Sequence, residues 1–209
     1  MLDASKAIWL TRVKYPEVVP DPATHTRLLD AAWQEVAELG IERLTLAAVG
    51  ARAGVSRQAV YLHFGNRATL LVEMAARHDR TSGFTRQLAT TRQQDPVDGF
   101  RAMLDAWFDY LPTVLRVGTA LEAAQLTGGD GADAYRDRMN DWWNGIRIAI
   151  QRLADAGHLS SDWTIDTATD WVWASVHPTT FHHLVTERRW TATDAARRIN
   201  DSLARDLLT

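Results

Sequence analysis

Apolar residues recur along most of the chain at intervals of three and four, which is the spacing of one face of an α-helix. The first such stretch contains Leu29, Ala32 and Val36. It follows Asp21-Pro22, a typical helix start because aspartate caps the first amides and proline fits the first turn. Sustained alternation with a period of two, which would indicate β-strands, does not occur in the sequence. The pattern predicts an all-α protein of about nine helices.

Capping residues, prolines and glycines predict where the later helices begin and end. These helices lie at 45–54, at 56–62, from 67 into the eighties, from Asp95-Pro96 to a division at Leu111-Pro112, at 133–156, at 165–188 and at 193–208. Pro178 falls inside the helix at 165–188, where we expect it to bend the helix and leave the carbonyl of Ala174 without a partner. Gly128, Gly129 and Gly131 predict a loop.

Residues 45–64 have the pattern of a helix-turn-helix, in which two short helices cross over a turn of three or four residues. The first helix needs a small residue at the crossing, which Gly50 supplies, and Gly54 suits the left-handed conformation of the turn. The apolar residues that flank the turn, and that we expect to face inward, are Val49, Val55 and Val60. The sequence thus predicts a flexible arm at 1–20, a three-helix DNA-binding domain at 21–70, and a second helical domain at 71–209.

The charge of this region differs from that of the whole chain, which has a formal net charge of −3. Residues 43–72 contain four arginines and no acidic residue, a formal charge of +4. A local basic face on an acidic protein is suited to the phosphates of DNA. The alternative is a solvated arginine face without a ligand.

The third predicted helix has a face that is free to enter the major groove if Val60 points into the core. Arg57 can pair with guanine, Gln58 with adenine, and Ala59 can contact a thymine methyl group. The predicted phosphate contacts are Thr45, Ser56, Tyr61, His63 and Arg67.

Residues 27–71 resemble the DNA-binding domain of the TetR family of transcriptional regulators. The resemblance is carried by Leu29-Asp30-Ala31-Ala32, Gly40, Thr45-Leu46, Ala53-Gly54-Val55-Ser56, Val60-Tyr61, His63-Phe64, Asn66-Arg67 and Leu70-Leu71. It implies the same division of base and phosphate contacts, with Ala68 and Gly65 as departures from the usual pattern. It also implies repression of transcription from a near-palindromic operator of double-stranded DNA, a small-molecule effector, and a homodimer formed by the last two helices. Activation remains an alternative to repression.

The second domain contains seven of the nine tryptophans, which lie after residue 106. Large aromatic rings with one N–H each suit an apolar cavity with few polar groups. The candidate ligand-binding residues are Trp107, Trp142, Trp143, Trp173, His177 and Phe181. Ordinary core packing is the alternative for each of them. A stripe on the last helix, Ala196, Ile199, Leu203 and Leu207, is the predicted dimer contact.

Few features of the sequence support another class of protein. The chain has no cysteine, no phosphate-binding loop, no nucleophile elbow and no HExxH motif, so we expect neither an enzyme nor a cofactor. A metal site built from His177, His182 and His183 is disfavoured because adjacent side chains point in different directions. No signal peptide or membrane helix is predicted, and we expect a cytoplasmic protein. The alternative function is a ligand-binding helical interaction protein whose helix-turn-helix is vestigial.

Overall fold

A computed structural model describes residues 21–126 and 132–209. The predicted arm at 1–20 and the predicted loop at Gly128, Gly129 and Gly131 lie outside the described residues. Within the described part of the chain, the regular structure is helical, with one isolated antiparallel bridge between Leu159 and Leu208. The predicted all-α class is confirmed.

The described helices are separated by short turns. In chain order they are α1 (Pro22–Leu39), a 3-10 turn (Ile41–Arg43), α2 (Leu46–Ala53), α3 (Arg57–Phe64), α4 (Arg67–Thr81), α5 (Phe84–Thr91), α6 (Pro96–Leu126), α7 (Ala132–Asp155), α8 (Ile165–Ser175), α9 (Pro178–His182), a π-helical turn (His183–Glu187) and α10 (Ala192–Leu207). Backbone contacts group them into two compact units. The first contains residues up to His78 and residues 116–138, and the second contains Asp79–Leu115 and Met139–Thr209.

The first unit begins at the predicted cap. The carboxylate of Asp21 accepts hydrogen bonds from the amides of Ala23 and Thr24, and its hydrogen bond with the Thr24 hydroxyl is the main reason that its pKa is lowered. The apolar face of α1 then packs inward. The buried residues of this unit include Leu28, Leu29, Ala32, Val36, Leu44, Val49, Val60, Phe64, Leu70, Leu71 and Met74.

The second unit has an aromatic and aliphatic core. Its fully buried large side chains include Phe100, Leu104, Leu111, Ile146 and Phe181. On α10, Leu203 and Leu207 are buried, whereas Ala196 and Ile199 of the predicted stripe are only half-buried. Thr191 caps α10 by accepting a hydrogen bond from the amide of Asp194 at 3.0 Å.

The prediction that Pro112 divides a helix is wrong, because α6 continues through it from Pro96 to Leu126. A proline inside a helix costs about 3 kcal/mol. The adjacent residues Leu111, Val114 and Leu115 are buried. Burial of such side chains stabilises the helix by about 1.5–3 kcal/mol each, which is enough to offset that cost.

The prediction that Pro178 bends the interior of a helix is also wrong. Helix α8 ends at Ser175, and Pro178 is the first residue of α9. The imidazole of His177 caps α9 by accepting a hydrogen bond from the amide of Thr179. The carbonyl of Ala174 is not left unpaired, since it accepts hydrogen bonds from the amide of His177 and the hydroxyl of Thr180. Proline at the first helical position needs no amide donor, which explains why the chain restarts a helix there.

Candidate functional site

The crossing of α2 and α3 depends on a close approach at Gly50. A Cβ atom added there would lie 2.9 Å from Cγ2 of Val60 and 3.1 Å from the carbonyl oxygen of Val55. Gly54 ends α2 with φ 69° and ψ 31°, the left-handed conformation that glycine adopts without strain. Val49 and Val60 are fully buried on either side of the turn, and Val55 is half-buried. These features are those of the predicted helix-turn-helix.

Helix α3 has a buried side and an exposed side. Val60 and Phe64 lie in the core, whereas Arg57 and Gln58 are exposed and Tyr61 retains 43% of its accessible surface. The guanidinium of Arg57 donates a hydrogen bond to the Tyr61 hydroxyl at 3.2 Å, and this contact raises the pKa of Arg57. Ala59 is half-buried beside them. The three predicted base-contacting residues therefore lie on α3 next to an exposed aromatic ring.

Two predicted phosphate contacts cap the helices of this motif. The hydroxyl of Thr45 accepts a hydrogen bond from the amide of Ala48 at 3.1 Å, and the hydroxyl of Ser56 accepts one from Ala59 at 3.2 Å. A hydroxyl that accepts a hydrogen bond still carries an O–H donor. Capping is therefore compatible with donation from the same oxygen to a phosphate.

Two of the four arginines in the basic stretch are held by the protein itself. Arg52 pairs with Glu35 at 2.7 Å and with Glu38 at 2.6 Å. Arg67 donates to the carbonyl oxygens of Ile41 and Leu44 at 2.7 and 2.9 Å. Counting charges along the sequence therefore overestimates the basic face, because Glu35 and Glu38 precede the counted segment. The predicted phosphate contact of Arg67 stays a prediction, and its hydrogen bonds fix the turn before α2.

His63 has partners that the sequence did not indicate. Its Nδ1 lies 3.4 Å from Nδ1 of His25 on α1, and Nε2 of His25 lies 2.8 Å from a carboxylate oxygen of Glu73 on α4. Burial is the main cause that lowers the pKa of His63, and His25 adds to it, while Asp21 and Glu73 act in the opposite direction. No local motif joins these residues, because His25 and His63 are 38 positions apart.

Two pairs of predicted ligand-binding residues are in ring contact in the second unit, Trp107 with Trp142 and Trp173 with His177. The rings of Trp107 and Trp142 stack with centroids 4.3 Å apart, and Phe84 and Tyr110 extend the same aromatic cluster. Both tryptophans are buried, and Trp107 donates its N–H to the carbonyl of Val176 at 2.8 Å. Tyr110 hydrogen-bonds with the buried carboxylate of Asp79.

The four predicted ligand-binding residues outside this aromatic cluster occupy different surroundings. Trp143 donates to a carboxylate oxygen of Asp170 at 2.8 Å, and the ring of Trp173 lies 4.8 Å from that of His177. Phe181 is buried against Phe108, with ring centroids 5.6 Å apart. Their roles in binding a ligand stay predictions.

A groove that the sequence did not indicate lies between the first half of α6 and α10, with a volume of about 670 Å³. Its lining includes the buried rings of Phe100 and Phe108 and the exposed carboxylates of Asp105 and Asp109. Asn200 donates to Asp105 at 2.7 Å in the same groove. Only a tertiary contact between distant segments creates this feature, so helical periodicity does not predict it.

Among residues 21–126 and 132–209, no group of three or more histidines and acidic residues is arranged to hold a metal ion. Within the same residues, no helix is long and apolar enough to cross a membrane.

Comparison with known proteins agrees with this geometry. Residues 28–74 match bacterial regulatory proteins of the tetR family. The helix-turn-helix transcriptional regulator TtgR of Pseudomonas putida is 25% identical over 146 residues, which cover 66% of this chain and 70% of TtgR.

Solved structures show the same fold. A protein from Saccharomonospora viridis in complex with choline superposes with a TM-score of 0.76 at 17% identity, over 90% of this chain and 100% of that one. The SmeT–triclosan complex gives a TM-score of 0.65 at 23% identity, over 90% and 92% of the two chains. SmeT is a repressor from Stenotrophomonas maltophilia.

The helix-turn-helix and the exposed side of α3 define a DNA-binding protein. The sequence comparison then gives the family of this domain. Residues 28–74 match the tetR family of bacterial regulatory proteins, and the chain is a helix-turn-helix transcriptional regulator.

Proposed function

We propose that the protein represses transcription by binding a near-palindromic operator as a homodimer, and that a small, largely apolar molecule releases it. The observation that carries this proposal is the exposed face of α3, where Arg57, Gln58 and Tyr61 lie opposite the buried Val60 and Phe64. Folding accounts for the burial of Val60 and Phe64 but does not require these particular side chains on the opposite face.

In this proposal α3 enters the major groove. Arg57, Gln58 and Ala59 contact bases, while Thr45, Ser56, Tyr61, His63 and Arg67 contact phosphates. Residues 21–70 form the DNA-binding domain, and residues 71–209 form the ligand-binding and dimerisation domain. Two α3 helices in a two-fold dimer would contact half-sites separated by one helical turn of DNA, about 34–36 Å, or a multiple of it.

The proposed dimer contact is made by the last two helical segments, α8–α9 and α10. In support, the half-buried Ala196 and Ile199 on α10 have surface left to cover. Trp171 on α8 and Trp190 before α10 are also 44% and 40% exposed, which is unusual for tryptophan. A second copy that covers these rings would explain their exposure.

The proposed effector binds among the aromatic residues of the second unit, near Trp107, Trp142 and Phe181. Relatives of the same fold have been solved with choline and with triclosan, and SmeT represses a multidrug efflux pump. Since Trp107 and Trp142 are stacked and buried, a ligand has to separate them or enter beside them. A coupling free energy of about 1–3 kcal/mol between ligand and operator would lower DNA affinity about 5- to 150-fold.

Regulation of this kind requires no enzymatic activity, and we propose a cytoplasmic regulator rather than an enzyme. Selection of binding sites from a random duplex library, repeated at two salt concentrations, tests the proposal. We expect a palindrome to be enriched and the affinity for it to fall steeply with salt, because bound phosphates release counterions. Placing that palindrome downstream of a promoter should then reduce transcription in the presence of the protein. Weak binding without any enriched sequence would instead support an interaction protein with a vestigial helix-turn-helix.

A further inference from the structure

The hydrogen-bond partners of His63 make its proposed DNA contact depend on protonation. His63 lies in the last turn of α3, and its Nδ1 faces Nδ1 of His25, whose Nε2 faces the carboxylate of Glu73. We propose that each protomer takes up one proton at the His25–His63 pair when it binds its operator, with His25 and Glu73 as the positioning residues. This inference rests on the proposed function, because it needs a phosphate at His63.

The number of N–H groups limits how many contacts the two rings can make. A neutral imidazole carries one N–H and one lone pair, so two neutral rings carry two N–H groups. The contact between His25 and Glu73 needs one of them, because an ionised carboxylate only accepts hydrogen bonds. The Nδ1–Nδ1 contact needs the second, whichever ring supplies it.

Donation from Nε2 of His63 to a phosphate oxygen needs a third N–H. Three N–H groups on two rings give the pair a net charge of +1. The neutral pair can therefore make two of the three contacts, and the protonated pair can make all of them. This result holds for either assignment of the proton between the two Nδ1 atoms.

The groups around the pair favour the charged form only when DNA is present. Asp21 on α1 and Glu73 on α4 are the acidic groups that face His63, and the C-terminal end of α3 also favours a cation there. In the free protein, burial and the neighbouring His25 outweigh them and lower the pKa of His63. A bound phosphate adds negative charge beside the ring and raises that pKa.

The direction of the pH effect follows from linkage. The pair binds its proton more tightly in the complex than in the free protein, so a fall in pH favours the complex. Between the pKa of the free pair and that of the bound pair, affinity should fall as pH rises by up to about tenfold per pH unit for each protomer. Above the pKa of the bound pair this contribution to affinity is lost.

The test is calorimetric titration of the selected duplex into the full-length protein, at about one pH unit above the ordinary histidine pKa of about 6.5. Two buffers that differ in ionisation enthalpy, at equal ionic strength, give the number of protons taken up. We expect uptake approaching one proton per protomer in the wild type and none at this pair in His63→Asn, which keeps an amide donor but does not titrate. The matched control is His158→Asn, in the second unit, which should retain the wild-type uptake.

A second variant separates a positioning role from a merely structural one. Glu73→Gln keeps an oxygen that accepts from His25 but removes the negative charge, so the pH profile of affinity should shift to lower pH. A structural role alone would lower affinity equally at every pH. Thermal melting of each variant checks that it is folded.

Two results overturn the inference, and they are distinguishable. If the duplex binds but the wild type and His63→Asn take up the same number of protons, the inference fails while the proposed function stands. If no duplex binds to any variant at either end of the pH range, the proposed function fails and the inference fails with it.

Discussion

Tyr61 and Trp107 are both large aromatic residues with one polar group, but Tyr61 is exposed and Trp107 is buried. Tyr61, in the first unit, is 43% exposed, and its hydroxyl accepts a hydrogen bond from an arginine that is itself exposed. Trp107, in the second unit, is 5% exposed, stacks on Trp142 and donates its N–H to a backbone carbonyl. Burial and hydrogen bonding account for the position of Trp107, whereas the proposed DNA contact would account for the exposure of Tyr61.

The two candidate sites differ in how much their residues contribute to the stability of the fold. On α3 the side chains proposed to contact DNA contribute little to folding, so their function and their stability effects are separable. In the aromatic cluster, the residues proposed to bind an effector also hold the second unit together. A variant there is expected to change folding and effector binding together.

The largest change in the free energy of unfolding is expected from Trp107→Ala. Loss of the stacked ring and its hydrogen bond should lower the free energy of unfolding by about 3–5 kcal/mol. The matched variant Tyr61→Ala should change it by less than about 0.5 kcal/mol while weakening DNA binding. Urea unfolding of both proteins checks the difference. Equal destabilisation by the two variants would break the comparison.

A smaller effect is expected at the crossing of α2 and α3. Gly50→Ala places a methyl group against Cγ2 of Val60 and the carbonyl of Val55, and this overpacking should cost about 1–3 kcal/mol. The control is Gly118→Ala on α6, where nothing lies within 4 Å of the added carbon. There alanine should stabilise the protein by up to about 1 kcal/mol through helix propensity. Thermal or urea unfolding should therefore show changes of opposite sign, and changes of the same sign would contradict the proposed crossing.

The smallest effect on stability is expected at a cap. Ser56→Ala removes the acceptor for the amide of Ala59 and should cost about 1 kcal/mol. Ser202→Ala, within α10, should be neutral or slightly stabilising because alanine has the higher helix propensity. If Ser56→Ala weakens DNA binding at high and low salt alike without loss of stability, the hydroxyl acts on DNA and not on the helix.

Local chemistry made the helix-turn-helix and the start of α1 predictable from the sequence. Asp21, Thr45 and Ser56 each accept a hydrogen bond from an amide two or three residues further on, and Gly54 adopts the conformation that its turn requires. Such signals depend only on nearby residues. The helix-turn-helix could therefore be predicted from these residues, whereas its family was predicted from a resemblance.

Long-range partners could not be predicted in the same way. The hydrogen bonds of His25 with Glu73 and of Arg67 with Ile41 join residues that no local pattern connects. The two misassigned prolines differ in cause. Buried neighbours carry α6 through Pro112, which is a matter of tertiary packing. At Pro178 a local cap, the side chain of His177, starts a new helix.

The most direct test of the central claim, that α3 determines which DNA sequence is bound, is a repeat of the duplex selection with Arg57→Ala. We expect a folded protein that still enriches a palindrome but has lost its preference at one base pair, commonly a G·C pair, in each half-site. An enriched sequence identical to that of the wild type, with the same affinity, would contradict the claim that the exposed face of α3 contacts bases.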